Sequence, residues 1–214
     1  MKPYISVILT SRGRFEQLKS SLDSLYLNCS DKNNYEVIII FDEDDQETIK
    51  NFLSIEKKYN FTILITKRYG YDYLHIQQNM AASIAEGEWF WIWNDDVEVK
   101  SQNWDQIIKE HDGEFSVLST YGMAAPDWEN AHPPFPIIPK KWFQILGRIT
   151  PWNHLDTYVV RLCEVFGLLK FEEKIQYFHD RKTDETNHNV QYHRIPFPDD
   201  EFGIDINKIR NYLK

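Results

Sequence analysis

The sequence predicts an α/β fold: a single domain built on a mostly parallel sheet with helices on both faces. Three observations predict it. Four short, nearly unbroken apolar runs occur in the first half: "YISVIL", "EVIIIF", "FTILIT" and "EWFWIW". Stretches with apolar residues at helical spacing separate them. The length, 214 residues, suits one domain with a modest extension. Strands that are apolar at every position are buried on both faces, which calls for parallel pairing through crossover helices.

The elements follow in order. "YISVIL" (4–9) lies between Pro3 and the loop "TSRGR" and reads as a buried strand. Phe15, Leu18, Leu22 and Leu25 then recur at helical spacing. "EVIIIF" (36–41) ends at Asp42, and Ile49, Phe52, Leu53 and Ile55 mark a second helix. "FTILIT" (61–66) is the third strand. Ile76, Met80, Ala81 and Ile84 predict a helix over 74–85, ended by Gly87. "EWFWIW" (88–93) is the fourth strand. Right-handed crossovers bring the C-terminal ends of such strands to one edge, where ligands of open α/β sheets bind. That edge gathers Thr10-Ser11-Arg12, Asp42-Glu43-Asp44-Asp45, Lys67-Arg68 and Asn94-Asp95-Asp96.

After residue 100 the pattern changes. "NWDQIIKEH" predicts a short helix and "FSVLST" a strand. "AHPPFPIIP" is proline-rich and is expected to be neither an ordinary helix nor a central strand. Tyr158, Leu162, Val165, Phe166 and Leu169 predict a helix over 157–169. The chain from Gln176 onward is polar, acidic and rich in histidine. The second half, 101–214, reads as an elaboration on the sheet formed by residues 1–100.

Composition narrows the function. The aromatic share of 15% can fill a core and leave rings to stack on a ligand. A net charge of −9 with no long Lys/Arg block argues against a nucleic-acid partner. No apolar run reaches the length of a membrane span, and the chain enters its first strand without a secretory leader, so a cytoplasmic location is expected. Cys29 and Cys163 lack metal-ligand spacing and read as free thiols of a reducing compartment.

The stretch "WIWNDDVEV" (91–99) runs a buried strand straight into Asn94, Asp95, Asp96 and Glu98. Asn-Asp clusters form ordinary turns. Carboxylates at a strand end also suit Mg²⁺ or Mn²⁺, hard cations that bridge carboxylates to phosphates.

The order of these pieces resembles family-two-like glycosyltransferases with the GT-A, Rossmann-like fold. Over about residues 3–100 the resemblance rests on "PYISVILTSRGRFEQLKSSLDSL", "YEVIIIFDEDDQET" and "NMAASIAEGEWFWIWNDDVEV". It implies a nucleotide-diphosphate sugar donor, with UDP as the leading guess, and a glycan or other hydroxyl acceptor. It implies that Asp42 reads the nucleobase and that Thr10 helps hold the nucleoside. Asn79, Ala85 and Gly87 match the family's spaced residues, and Asn79 is expected among the residues that bind the donor. Asn94-Asp95-Asp96 occupies the Asp-x-Asp place. Asn94 there faces a ribose hydroxyl, Asp96 is the direct ligand of Mn²⁺ or Mg²⁺, and Asp95 supplements it. Asn94 replaces the family's first acid, which bears on metal affinity.

In the second half "FPIIPKKWFQILGRITPWNHLDTYVVRL" is similar to the family's acceptor-side segment. Its acidic pair reads Leu155-Asp156 here, so Asp156 alone is carried over as catalytic base of an inverting transfer. An N-cap of the following helix is the other reading of Asp156. His179, in "YFHDRKTD", would complete the metal shell or touch the diphosphate. His188 and His193 are weaker candidates for that place. Arg12 is a candidate for the diphosphate, with Lys67, Arg68, Arg181 and Lys182 beside it. Trp128, Trp142 and Trp152 are candidates for an acceptor platform or for core packing. Two rivals stand beside this reading. A sugar-phosphate nucleotidyltransferase would want more glycine than Gly13 in its first loop. A non-catalytic binder of nucleotide sugar or glycan would account for Asn94 and Leu155.

Overall fold

The computed structural model describes residues 2–55, 60–123, 134–180 and 195–214. Strands β1 (Ile5–Ser11), β2 (Tyr35–Asp42), β3 (Phe61–Thr66) and β4 (Trp89–Asn94) lie parallel in the order β3-β2-β1-β4. They alternate with helices α1 (Phe15–Asn28), α2 (Gln46–Ser54) and α3 (Leu74–Ile84). Next come β5 (Val97–Val99), α4 (Trp104–Lys109), β6 (Val117–Gly122), β7 (Ile137–Pro139), α5 (Lys140–Leu146), α6 (Leu155–Phe166), β8 (Leu169–His179) and α7 (Asp199–Tyr212). The second half extends the same sheet, as β7-β6-β8-β5, from the far side of β4.

Alternate strand residues feed two cores, as helices on both faces require. Val7, Leu9, Val37, Ile39, Trp91 and Trp93 pack with Leu18, Leu22 and Leu25 of α1 and Trp104 of α4. Ile8, Ile38, Ile40, Phe90 and Ile92 pack with Ala81 and Ala82 of α3, Trp142 of α5 and Leu162 of α6. The rings of Trp91 and Trp93 meet edge-on, 4.4 Å apart. Full burial of one such side chain is worth about 1.5–3 kcal/mol, so β4 holds its acidic end rigidly.

Gly87 has a packing reason. A Cβ on it would lie 2.5 Å from the Ser6 backbone nitrogen, and its own N–H donates to Ser6 Oγ at 2.8 Å. That contact lies at the opposite end of the sheet from Asn94-Asp95-Asp96.

Some expectations are corrected. The proline-rich stretch supplies β7, which sits inside the sheet between β4 and β6. Its prolines are tolerated because of which way each residue points. The Pro136 carbonyl accepts from Ile92 N–H and Lys140 N–H donates to the Glu88 carbonyl. Pro139 therefore turns its missing donor to the other edge, where pairing with β6 is confined to Leu118↔Ile137. Residues 176–179 belong to β8 and not to a loose tail. Helix α6 begins at Leu155, two residues before the expected start.

Candidate active site

Gly13 divides the first loop. Its φ of 66° is in the left-handed region that glycine enters freely. Its N–H donates to Asp45 Oδ2 at 2.8 Å, fastening the loop to the start of α2. The arginines on either side are sent to different strands.

Arg14 goes to the end of β4. Asp95 is fully buried, and its Oδ2 accepts from Ser11 Oγ (2.7 Å) and Arg14 Nε (3.2 Å). Arg14 Nη2 lies 2.6 Å from the other oxygen. Arg14 Nη1 donates to Asp96 Oδ2 at 3.1 Å. Burial pushes the Asp95 carboxyl up to about 6, although the Arg14 charge and the Ser11 hydrogen bond oppose it. For Asp96 the balance reverses. Burial raises it, but the nearby His179 and the Arg14 charge together hold it below the usual carboxylate range.

His179 reaches Asp96 through the sheet. Val97 of β5 pairs with His179 of β8, and Asp180 N–H donates to the Asp96 carbonyl at 2.9 Å. This register puts His179 Nε2 3.5 Å from Asp96 Oδ1. The structure thus joins two residues that the sequence held far apart. A recess of about 250 Å³ opens beside Asp96, lined by Glu16, Gln17, Ser20, Glu98 and Asp180.

The donor set can be tested against a divalent ion. Asp96 and His179 present one carboxylate oxygen and one imidazole nitrogen to each other. Asp95 turns both oxygens to Arg14 and Ser11, so as arranged it anchors the loop. Among the described residues no three His, Cys, Asp or Glu side chains gather closely enough to hold a metal. The pair fits Mg²⁺ or Mn²⁺ whose remaining ligands are phosphate oxygens and water, the usual manner of Mg²⁺ at phosphate sites.

Arg12 goes to the end of β2. It clamps Asp44 with both terminal nitrogens and donates to Asp42 Oδ2 at 3.2 Å. Gln77 Nε2 donates to Asp42 Oδ1 at 2.9 Å and to Thr66 Oγ1 at 2.8 Å. Asp42 therefore sits in a hydrogen-bonded frame at the rim. Arg68 approaches Asp44 at 3.9 Å, and Lys67 lies over the Tyr69 ring. Thr10 and Asn94 stand side by side in register at the ends of β1 and β4, both half-buried.

Asn79 is engaged with the protein's own backbone. Its Oδ1 accepts from Ile149 N–H (2.8 Å) and its Nδ2 donates to the Thr150 carbonyl (2.7 Å), pinning the loop before α6. Asp156 lies in the first turn of α6, half-buried and with no partner among the described residues. His154 takes the N-cap position, so Asp156 is not the cap. A carboxylate there is favoured by the helix dipole. Trp142 is buried in the core and is not a platform. Trp152 packs against His154 and Phe197. Trp128, Arg181, Lys182, His188 and His193 lie outside the described residues.

Sequence reasoning missed Arg14 and Gln77, and placed Ser11 on the rim without giving it a role. The signal for Arg14 was the spacing "RGR": one glycine between two arginines lets each face a different acidic cluster.

The fold has counterparts among solved structures. S. aureus TarS 1-349 in complex with UDP-GlcNAc superposes with a TM-score of 0.68 at 16% identity, covering 97% of this chain and 67% of that one. The mannosyltransferase PcManGT from Pyrobaculum calidifontis, in complex with GDP-Man and Mn²⁺, gives 0.67 at 12% identity, covering 84% of this chain and 57% of that one. Another structure of S. aureus TarS 1-349 gives 0.64 at 16%, covering 82% and 60%. At such identities the likeness is one of fold, and the chain spans about 60% of the length of the first solved structures it matches. None of the curated proteins matches it in sequence. Among the described residues no helix is long and apolar enough to cross a membrane. The profile of Glycosyl transferase family 2 matches residues 6–176, most of the chain, and the protein belongs to that family.

Proposed function

We propose that the protein is a glycosyltransferase that moves a sugar from a nucleotide-diphosphate donor to an acceptor hydroxyl, with inversion at the anomeric carbon. The observation that carries this reading is the Asp96–His179 pair on the rim that also holds Asp42, Thr10 and Asn94. Residues 1–100 are the donor half and residues 101–214 the acceptor half, and the protein works in the cytoplasm. The fold relatives bound to UDP-GlcNAc and to GDP-Man with Mn²⁺ support a nucleotide-sugar donor. We take uridine as the base, read by Asp42.

Asp96 and His179 would hold Mn²⁺ or Mg²⁺, which when bound supplies positive charge to the leaving diphosphate. Asp42, Thr10 and Asn94 hold the nucleoside. Asn79 acts at one remove, by fixing the loop that leads to Asp156. Asp156 accepts the proton of the acceptor hydroxyl as that oxygen bonds to the anomeric carbon. The bond from that carbon to the diphosphate breaks in the same step. Among the described residues Asp156 has no counter-ion, which leaves it available to a substrate.

A second reading, a non-catalytic binder of nucleotide sugar, is favoured by Asn94 and Leu155 in the places of two family acids. Incubation with UDP- and GDP-sugars, with and without Mn²⁺, separates the two. Transfer of the sugar to an acceptor with release of the matching nucleoside diphosphate supports the transferase. Binding without release supports the binder, and release of pyrophosphate from a sugar phosphate and a nucleoside triphosphate points to a nucleotidyltransferase.

A further inference from the structure

Away from the Asp96 rim, β6 and β8 form a second recess of about 140 Å³, lined by Ser119, Thr120, Tyr121, Phe171 and Glu173. The strand pairing builds it. Ser119 pairs with Phe171 and Thr120 with Glu172, but Tyr121 pairs with Gln176, so β8 carries three extra residues at this point. Such bulges re-aim side chains and recur beside functional sites. This one is held in place: Ser101 Oγ donates to the Lys174 carbonyl and accepts from Gln176 N–H.

Two features of the recess are unusual for a sheet surface. Phe171 and Tyr121 leave 59% and 43% of their surface in water. Between them Ser119 is 1% exposed, and its hydroxyl has no hydrogen-bond partner among the described residues. Buried polar groups are normally paired, and an unpaired one asks for an explanation. In register with Phe171, the Ser119 side chain shares its face of the sheet. Glu173 adds an acceptor at the margin.

A ligand that satisfies this recess needs an apolar face for the rings and hydroxyl groups for Ser119 and Glu173. A purely apolar ligand would leave the serine unpaired. An anionic one would meet Glu173 and a chain of net charge −9, while the nearby Lys170 and Lys174 are already paired with Glu114 and Glu110. A pyranose ring presents C–H groups on its faces and hydroxyls at its edge, and it suits the recess.

The position adds a direction. Val117, two residues before Ser119, packs in the core cluster that contains α6, the helix that carries Asp156 in its first turn. Tyr121 pairs with Gln176, and His179 lies three residues further along β8, about 10 Å of strand. We infer that the β6–β8 recess is a glycan subsite: it binds a neutral or amino sugar ring of an acceptor chain, a few rings from the hydroxyl that reacts. This rests on the proposed transferase reading and names its acceptor class, an oligosaccharide that is not phosphate-linked.

The test uses the full chain and four probes: cellotetraose, chitotetraose, α-mannotetraose and a polyol-phosphate oligomer. Binding is read by saturation-transfer NMR and calorimetry, and affinity for UDP and GDP with Mn²⁺ is measured on the same samples. At least one neutral tetraose is expected to bind. Phe171→Ala should weaken it tenfold or more and Ser119→Ala several-fold, with nucleotide affinity unchanged. Phe171 is exposed, so its removal leaves the fold intact, and Phe171→Tyr should retain binding. The inference is overturned if no tetraose binds the wild type, if binding survives loss of both Phe171 and Tyr121, or if the phosphate oligomer binds best. Loss of nucleotide binding in the wild type would instead count against the transferase reading, whatever the glycans do.

Discussion

Arg12 and Arg14 stand two residues apart, and each holds a pair of aspartates, yet the two clusters differ in kind. The Arg14 cluster is sunk at the end of β4, with Asp95 wholly out of water. The Arg12 cluster lies open at the end of β2, with Asp44 about half exposed. Exposed pairs are screened and contribute about 0–1 kcal/mol. Breaking a buried pair strands a charge in low dielectric, at roughly 3–5 kcal/mol. The same residue types therefore form a rigid frame in one place and an adjustable one in the other. A third carboxylate, Asp156, has no cation beside it among the described residues. The difference teaches that company and burial, more than residue type, separate structural acids from working ones.

The largest expected effect tests the deepest site. Asp96→Ala should abolish Mn²⁺-dependent binding of nucleoside diphosphate with the fold retained. Unchanged metal-dependent affinity by calorimetry would remove Asp96 from the donor site. Next, Arg14→Ala should lower stability by roughly 3 kcal/mol at pH 7, the low end of the range for a broken buried pair, measured by urea denaturation. The penalty should shrink toward pH 5. Asp95 in the folded protein already titrates near 6, above its unfolded value of 3.8. A raised pKa stabilises at low pH, and that contribution fades as pH rises through 6. A loss independent of pH would mean that Asp95 is not the stranded group.

Asp156→Asn comes third. It keeps size and removes basicity, so turnover should fall about a hundredfold, the scale of general-base catalysis. Donor affinity and melting temperature should stay nearly constant. An active wild type with an equally active Asn variant would reject Asp156 and move suspicion to His154. The smallest effect belongs to Arg12→Ala: at most about 1 kcal/mol of stability. A loss as large as that of Arg14→Ala would erase the contrast between the clusters.

The first half of the fold was legible because its strands are apolar at nearly every position and its helices are amphipathic. The strand ends were read one or two residues short, so Thr10, Ser11 and Asn94 belong to the strands and not to the loops after them. β8 was not legible. Its burial follows neither a period of two nor a helical one, because the bulge shifts its phase halfway along. β7 was hidden by its prolines, which a three-residue strand with one short ladder can carry. In the site, Asp96 and Asp42 could be read from their places after apolar runs. Arg14 was harder to read: the "RGR" spacing signals it, but the turn at Gly13 decides which strand it faces.

The pairing of Val97 with His179 has a consequence for how this sequence can drift. Neighbouring residues of a strand point to opposite faces, so a slip of one position in β8 would present Phe178 or Asp180 where the imidazole now stands. Between the bulge and His179 the composition of the chain can vary, but its length cannot. Insertions and deletions have room upstream, where the bulge can absorb a residue before the ladder to β5 begins. Distant kin are then better recognised by the count of residues from the bulge to the histidine than by the identity of the residues between.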